Sequence, residues 1–298
     1  MPMTAACDRW HRWLLDVRFG GDTAELEQQL TEFLYPVRDA VLDRAMLQPG
    51  DTLLDVGTGD GLIAFGALDR LASRGRVIFS DISDDLLGHC RELAVAAGLA
   101  DRCGFVRASA DDLTPVPDAS ADVVTTRSVL IYVKDKAGAL REFHRVLRPG
   151  GRISLFEPVN RLMSDPGRFS GYDIGPVAAI AAKVEALYQS IQPPDSDPML
   201  DFDDRDLVRL AEQAGFTGIE LELRVGVHAS RRPCPWERFV RMSGNPLVPP
   251  LHEAMARTLS PAEAAEFTGH LKPLVESGTG QERRAVAYLS AEAPPAPR

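Results

Sequence analysis

Apolar and polar positions follow two different periods along residues 51–157. Short apolar runs of strand length are separated by stretches in which apolar residues recur every three or four positions, as they do on one face of a helix. Strands that alternate with helices in this way favour a parallel sheet joined by crossover helices. The predicted strands are residues 52–57, 76–81, 104–108, 121–126 and 151–157, and the predicted helices are residues 61–73, 84–98 and 134–147.

Outside these residues, two further segments have the strand and helix pattern of the core, and three segments do not. A helix from Asp204 to Ala214 ends at Gly215 and leads into an alternating run, and residues 283–289 also have strand character. We therefore divide the chain into an N-terminal helical lid (1–45), a core (46–157), a first cap insertion (158–203), a core helix with a sixth strand (204–229), a second helical cap insertion (230–281), and a last strand with a disordered tail (282–298).

Composition excludes several classes of protein. The chain of 298 residues has 45% hydrophobic and 26% charged residues, which suits one α/β domain with insertions. No apolar run approaches the ~20 residues that cross a bilayer, and the first residues lack the pattern of a secretion signal. Four scattered cysteines without a C-x-x-C pair indicate a reduced, cytoplasmic protein. A net charge of −10 argues against nucleic acid as a partner, while a homodimer stays open.

A glycine-rich turn carries the strongest chemical signal. The segment Asp55-Val56-Gly57-Thr58-Gly59-Asp60-Gly61 joins the first predicted strand to the first predicted helix. Its three alternating glycines allow the backbone to approach a ligand closely. Asp81 ends the next strand 20 residues after Gly61, where an acid in a βαβ unit accepts hydrogen bonds from ribose hydroxyls. The pair predicts a nucleoside-bearing cofactor.

The spacing of the glycines separates two cofactor classes. A dinucleotide site has G-x-G-x-x-G, but Leu62 stands three residues after Gly59 and the third glycine comes one residue early, at Gly61. Asp55 would repel a pyrophosphate, whereas it suits the cationic end of an amino-acid moiety. The pattern D-x-G-x-G-x-G resembles motif I of the class I S-adenosylmethionine (SAM)-dependent methyltransferases. An NAD oxidoreductase and a turn without a ligand are the alternatives.

The resemblance extends from about residue 50 to residue 157. After the glycine loop and Asp81 come Arg107–Leu113, Pro117–Val124, Arg127–Val133 and Arg145–Gly151 in the order of class I methyltransferases of the ubiquinone/menaquinone-biosynthesis type (methyltransferase type 11/25). This resemblance implies an α/β, Rossmann-like, seven-stranded and mostly parallel sheet with one reversed strand. It also implies SAM bound at the carboxyl ends of the strands, with S-adenosylhomocysteine (SAH) as product.

The same resemblance implies ten cofactor-binding positions. Two of them are ambiguous, because the family often has Asp or Asn where Ser109 stands, so that either Ser109 or Asp111 could contact the adenine amino group. Asp111 could also cap a turn, and Arg127 could pair with a carboxylate of the core. The positions are Asp55, Gly57, Thr58 and Gly59 around the methionine part, Asp81 at the ribose, Ile82 on the adenine face, Ser109, Ala110 and Asp111 at the adenine edge, and Arg127 at the amino-acid end or the substrate.

The chemistry of SAM places few demands on catalytic side chains. Its methyl group is already activated, so the protein mainly aligns the nucleophile and excludes water. A base is needed only for a hydroxyl or a protonated amine. The candidates are His228 in the late strand, Tyr132 after the fourth strand and Glu157 at the end of the fifth. Packing is the alternative for Tyr132, and loop capping is the alternative for Glu157.

The substrate is expected to contact the insertions. Residues 125–129, Thr-Thr-Arg-Ser-Val, lack both the Pro-Pro motif of DNA amino-methylating enzymes and the carboxylates of a Mg²⁺ site, so we expect no metal. We predict methyl transfer to O or N of a specialised small metabolite in natural product biosynthesis. The alternatives are a peptide or protein substrate, and an inactive SAM-binding partner protein. Candidates for the substrate pocket, with helix packing as their alternative, are Trp10, Trp13, Tyr35, Tyr172 and Trp236.

Overall fold

The strands of the main sheet occur close to where the apolar runs predict them. The computed structural model describes residues 8–18, 27–163, 165 and 167–295. Within these residues the strands are β1 (Thr52–Val56), β2 (Arg76–Asp81), β3 (Cys103–Arg107), β4 (Ala121–Arg127), β5 (Leu147–Pro158), β6 (Arg168–Phe169), β7 (Tyr172–Asp173), β8 (Thr217–His228) and β9 (Glu282–Glu292).

The seven long strands form one sheet in the order β3-β2-β1-β4-β5-β9-β8. Strands β1 to β5 are parallel, and β9 runs antiparallel to both β5 and β8. Leu53, Leu54, Val123 and Val124, in the two central strands, have no exposed surface, as expected for strands covered on both faces. The predicted fold, a mostly parallel seven-stranded sheet with one reversed strand, is confirmed.

Helices cover both faces of this sheet. Several begin with a side chain that accepts backbone N–H groups: Ser83 accepts from Leu86, and Asp203 forms a capping box with Asp206. The helices packed on the sheet are Tyr35–Arg44, Leu62–Arg70, Asp84–Ala96, Lys136–Val146 and Asp204–Gln213. Those of the insertions are Ala178–Ile191, Trp236–Phe239, Leu251–Thr258 and Pro261–Ser277, and the N-terminal segment contains Arg9–Arg12 followed by π-helical turns over Trp13–Val17 and Leu30–Leu34.

The two insertions share a hydrophobic core of their own. Phe169 and Ile180 from the first insertion pack with Trp236, Leu251 and Phe267 from the second, apart from the two clusters that flank the sheet. We call residues 158–203 and 230–281 together the cap. Since most of these side chains are buried, the cap packs as one unit. We propose that the chain has the six predicted segments and that the two cap insertions among them form this one unit.

The C-terminal end of the chain is ordered for longer than the sequence predicts. The tail after Glu292 is expected to be disordered, but Ala293 is buried and its N–H donates to the carbonyl of Gly151 at 2.7 Å. The last residues of that predicted tail, 296–298, lie outside the described residues, as do residues 1–7 and 19–26 of the predicted N-terminal lid. Among the described residues, no helix has the length and apolar character needed to cross a membrane.

Candidate functional site

A cavity of about 1030 Å³ lies where the carboxyl ends of β1, β2 and β4 meet the N-terminal segment and the cap. Carboxyl ends of parallel strands are the usual ligand-binding edge of such a sheet. The sheet edge contributes Gly57, Gly59, Asp81, Ile82, Ser109, Ala110, Asp111, Arg127, Val129 and Tyr132 to its wall; the N-terminal segment contributes Trp10, Trp13, Leu14 and Arg18; the cap contributes Met163, Phe169, Tyr188, Met199, Arg231, Phe239, Met242 and Leu251.

The glycine loop needs its glycines for conformation and for space. Gly57 and Gly59 have φ values of +64° and +57°, in the left-handed region that L side chains rarely adopt. A Cβ on Gly57 would lie 2.4 Å from Cγ2 of Val129. The N–H of Thr58 donates to the carbonyl of Ser80 at 2.9 Å, which draws the loop towards β2. The backbone of the loop can therefore face a ligand directly.

Asp55 supports this loop from beneath and does not line the cavity, contrary to its predicted contact with the cofactor. Only 2% of its surface is exposed, and its two carboxylate oxygens accept the hydroxyls of Thr58 and Thr125, each at 2.8 Å. Thr58 is likewise buried beneath the loop. Burial raises the pKa of Asp55 to about 6, although the two hydroxyl donors oppose that shift. Asp55 therefore holds the loop in place through Thr58 and ties it to β4 through Thr125.

Asp81 lies in the cavity wall where the resemblance places the ribose site. One carboxylate oxygen accepts the N–H of Gly59 and the other accepts the N–H of Ser83, both at 2.9 Å. Burial raises the pKa of Asp81, and these two N–H donors oppose the rise. Each oxygen keeps a lone pair for a ribose hydroxyl. Ile82, 45% exposed, follows directly and presents an apolar surface to the cavity.

Ser109 and Asp111 act as a pair at the next strand end. The hydroxyl of Ser109 donates to the carboxylate of Asp111, and both residues line the cavity with buried Ala110 between them. Because Asp111 accepts this bond, its carboxylate is held towards the cavity and retains acceptor capacity. The structure therefore places both alternatives for the adenine contact in one hydrogen-bonded unit.

Two arginines line the cavity together with the glycine loop. Arg127, at the end of β4, and Arg18, from the N-terminal segment, both lie in the cavity wall. Burial, together with the positive charge of Arg127, lowers the pKa of Arg18 to about 10. Two guanidinium groups near Gly57 and Gly59 suit the carboxylate of an amino-acid moiety. Sequence reasoning missed Arg18, because an arginine in a helical segment carries no motif.

Of the three predicted bases, Tyr132 alone lines the cavity. Its ring lies 5.0 Å from that of Trp10, edge to face, and burial raises its pKa to about 12. Glu157 does not line the cavity; its carboxylate accepts the N–H groups of Leu130 and Val129 at 3.0 Å and of Ile131 at 3.3 Å. Burial raises the pKa of Glu157 to about 7, against these donors. Glu157 therefore caps the turn after β4, the structural alternative foreseen for it.

The prediction for His228 is corrected by the sheet order. His228 ends β8 on the ligand-binding edge, but β5 and β9 stand between β8 and β4, which separates β8 from β4 by roughly 14 Å at ordinary strand spacing. His228 is exposed and lines a separate cavity of about 440 Å³ with Phe33, Glu282 and Tyr288. Its distance from the cofactor loops removes it as a base for chemistry there.

The aromatic candidates divide into two groups. Trp10 and Trp13 line the cavity, and the indole N–H of Trp13 donates to the carbonyl of Ser243 in the cap at 2.9 Å. The predictions for the other three are corrected. Tyr35 lies outside the cavity beneath the guanidinium of Arg38, while Tyr172 and Trp236 are buried in the core of the cap. The apolar wall is built instead from methionines and other residues of the cap that no sequence motif marks.

The sheet order, with a glycine loop after β1 and an acid after β2, is that of the class I SAM-dependent methyltransferase fold. Residues 54–155 match the family model described as "Methyltransferase domain". The chain is 43% identical over 110 residues to the ubiquinone/menaquinone biosynthesis C-methyltransferase of Brucella anthropi, an alignment that covers 37% of this chain and 41% of that protein. The chain thus spans less than half the length of this relative.

Two solved structures show the same fold over most of the chain. Geranyl diphosphate methyltransferase in complex with SAM has a TM-score of 0.52 and 19% identity, covering 97% of this chain and 96% of its own. The [4+2]-cyclase SpnF has a TM-score of 0.50 and 21% identity, covering 87% and 80%. Because the second protein is named a cyclase, the shared fold alone does not assign a reaction.

The family match and the site together confirm the resemblance inferred from the sequence. The core of this chain is a SAM-dependent methyltransferase domain, and SAM is the cofactor of that domain. Gly57 and Gly59 of the glycine loop line the same cavity as Asp81 and Ile82. Within the part of the chain that the structure describes, no cluster of His, Cys, Asp and Glu side chains is arranged to hold a metal ion.

Proposed function

We propose that this protein transfers the methyl group of SAM to a sizeable, largely apolar small molecule held beneath the cap. One observation carries the proposal: the cofactor loops and the apolar wall of the cap line the same cavity of about 1030 Å³. This volume is at the upper end of the ~300–1,000 Å³ usual for ligand sites. It can therefore hold cofactor and acceptor side by side, as direct methyl transfer requires.

The chemistry of the cap wall supports an organic acceptor. Met163, Met199 and Met242 line the cavity together with Phe239 and Leu251. Methionine side chains are flexible and polarisable, so they adapt to irregular apolar shapes. A chamber beneath a packed cap suits a small molecule better than a peptide segment, which was the alternative left open by the sequence.

Few groups in the cavity can accept a proton. Among the described residues, no histidine lines it, and Tyr132, with a pKa raised to about 12, is protonated at neutral pH. Asp81 and Asp111 are the carboxylates of the wall, and we assign both to the cofactor. The reaction then depends on proximity and alignment, and it favours an acceptor that is already nucleophilic, such as an electron-rich carbon, an ionised oxygen or a neutral amine.

The atom that accepts the methyl group is a carbon, an oxygen or a nitrogen of the acceptor. The relative from Brucella anthropi is named a C-methyltransferase, so carbon joins oxygen and nitrogen as a candidate atom. That similarity covers 37% of this chain, and the family model ends at residue 155, before the cap begins. We propose that the cap, which contacts the acceptor, determines which of the three atoms receives the methyl group in this protein.

The test is incubation with carbon-13-methyl SAM and host metabolite extract, followed by mass spectrometry. We expect one organic metabolite to gain a labelled methyl group, whose carbon chemical shift then separates C- from O- and N-methylation. An Asp81→Asn variant, in which cofactor binding is impaired, serves as the negative control. Label on a peptide would favour the peptide alternative, and SAH binding without transfer to any acceptor would favour an inactive partner protein.

A further inference from the structure

Arg231 stands in the cap wall of the cavity, away from the two arginines at the cofactor loops. It begins the second insertion after β8 and is half-buried. Its neighbours are residues of the cap. The guanidinium carbon lies 5.5 Å from the ring centre of Tyr172, and the backbone N–H donates to the carbonyl of Gly278 at 3.0 Å. Arg18 and Arg127, in contrast, interact electrostatically with Asp60 and Asp55 near the glycine loop.

Two glycines make room for Arg231 and hold its backbone. A Cβ on Gly171 would lie 2.8 Å from Nη1 of Arg231, and a Cβ on Gly278 would lie 2.3 Å from its carbonyl oxygen. Both glycines have φ values in the left-handed region, +84° and +70°. The close approach of both segments restricts where the side chain can go. Arg231 is therefore positioned in advance of any ligand.

The side chain of Arg231 has no acidic partner among the residues that the structure describes. No carboxylate oxygen among the described residues lies within 4.0 Å of its guanidinium nitrogens, whereas its sequence neighbour Arg232 pairs with Glu32. Removing a guanidinium group from water without an opposite charge costs free energy, which a bound anion would recover. Around it the cavity is apolar, with Phe169 and Phe239 in the same wall.

We propose that Arg231 binds an anionic group of the methyl acceptor, a carboxylate or a phosphate, while the apolar body of that molecule fills the methionine-rich chamber. The inference rests on the proposed function, because it concerns the acceptor side of the same cavity. It defines the substrate class as an amphipathic organic acid, oriented with its anionic end at Arg231 and its nucleophilic atom at the cofactor. Arg231 is thus a specificity residue of the cap.

Binding of matched probes to the SAH complex tests this orientation. Decanoate and decyl phosphate carry the proposed anionic end on an apolar chain, and 1-decanol carries the same chain without the charge. We expect calorimetry to show the anions binding the wild-type complex about tenfold or more tightly than the alcohol, the effect of one charge-assisted hydrogen bond in a poorly hydrated site. Arg231→Gln should abolish this preference, and Arg231→Lys should retain part of it.

The control is Arg241→Gln, which removes one positive charge from an exposed position of the same cap outside the cavity. It should keep the preference for anions, and all variants should bind SAH as the wild type does. Equal binding of acid and alcohol by the wild type, binding of neither, or an unchanged preference in Arg231→Gln would overturn the proposal for Arg231. Failure of the wild type to bind SAH would instead contradict the proposed function.

Discussion

At the scale of single residues, Asp81 links the loop to the ligand site. Its carboxylate already accepts two backbone N–H groups, so an amide at this position would place an N–H₂ group against one of those donors. We predict that Asp81→Asn weakens SAH binding about 10- to 100-fold, equivalent to about 1.5–3 kcal/mol. Calorimetry measures the change, and Asp84→Asn, an exposed carboxylate paired with Arg107 on the surface, is the matched control.

An equal loss of affinity in the Asp81 and Asp84 variants would show that general charge, and not the geometry of Asp81, governs binding. An unchanged dissociation constant in Asp81→Asn would remove Asp81 from the ribose site.

We predict that Asp55 makes the stability of the protein depend on pH, because its folded-state pKa of about 6 lies above the ordinary 3.8. The folded protein then favours the protonated form, so the contribution of Asp55 to stability is present below pH ~4 and is lost as pH rises through ~6. The shift corresponds to about 3 kcal/mol. Urea unfolding of the unliganded protein between pH 4 and 7 should show the wild type losing this amount relative to Asp55→Asn. A difference between the two proteins that is constant with pH would refute the raised pKa.

At the scale of elements, the glycine loop and the turn after β4 form one packed unit. Gly57 lies against Val129, whose N–H is held by buried Glu157. We predict that Gly57→Ala raises the SAH dissociation constant more than tenfold, because its Cβ clashes with Val129 and its φ is positive. Adding Val129→Ala should recover the steric part and leave about 1 kcal/mol of backbone strain.

Calorimetry on both single variants and the double variant measures this coupling. Strictly additive effects of the two substitutions would contradict the proposed contact between the loop and the turn.

Sequence patterns predicted the bounds of strands and helices more accurately than they predicted the roles of single residues. The ends of β1, β2 and β4 fall within one residue of the predicted runs, since an apolar stretch flanked by turn residues has few alternatives. The start of β5 was less accurate. The predicted helix end at Leu147-Arg148-Pro149-Gly150-Gly151 is correct, but pairing with β4 already begins at Leu147 and shifts register before Arg152. Such a bulge depends on the neighbouring strand, which local pattern does not contain.

At the scale of the whole molecule, the N-terminal segment joins the sheet edge to the cap. Trp13 donates its indole N–H to Ser243, 230 residues away, and Leu14 lies against Gly59. We predict that Trp13→Phe, which keeps an aromatic ring but loses this donor, speeds dissociation of SAH about 5- to 10-fold, the effect of about 1 kcal/mol. Stopped-flow displacement measures the rate, and Arg12→Gln, at an exposed position of the same segment, is the control. Equal rates in wild type and Trp13→Phe would show that this bond does not retain the cofactor.

The sequence alone was sufficient to predict the sheet, the cofactor, and the positions of the glycine loop and Asp81 at the edge of the sheet, because short-range patterns specify elements and consecutive strand ends meet at one edge. Tertiary structure decided the rest. It placed two strands between His228 and β4, turned Glu157 and Asp55 inward as supports, and buried Tyr172 in the cap. The cap wall and Arg231 come from segments far apart in the chain, and only packing brings such residues together. The acceptor site that we propose therefore depends on the folding of the cap.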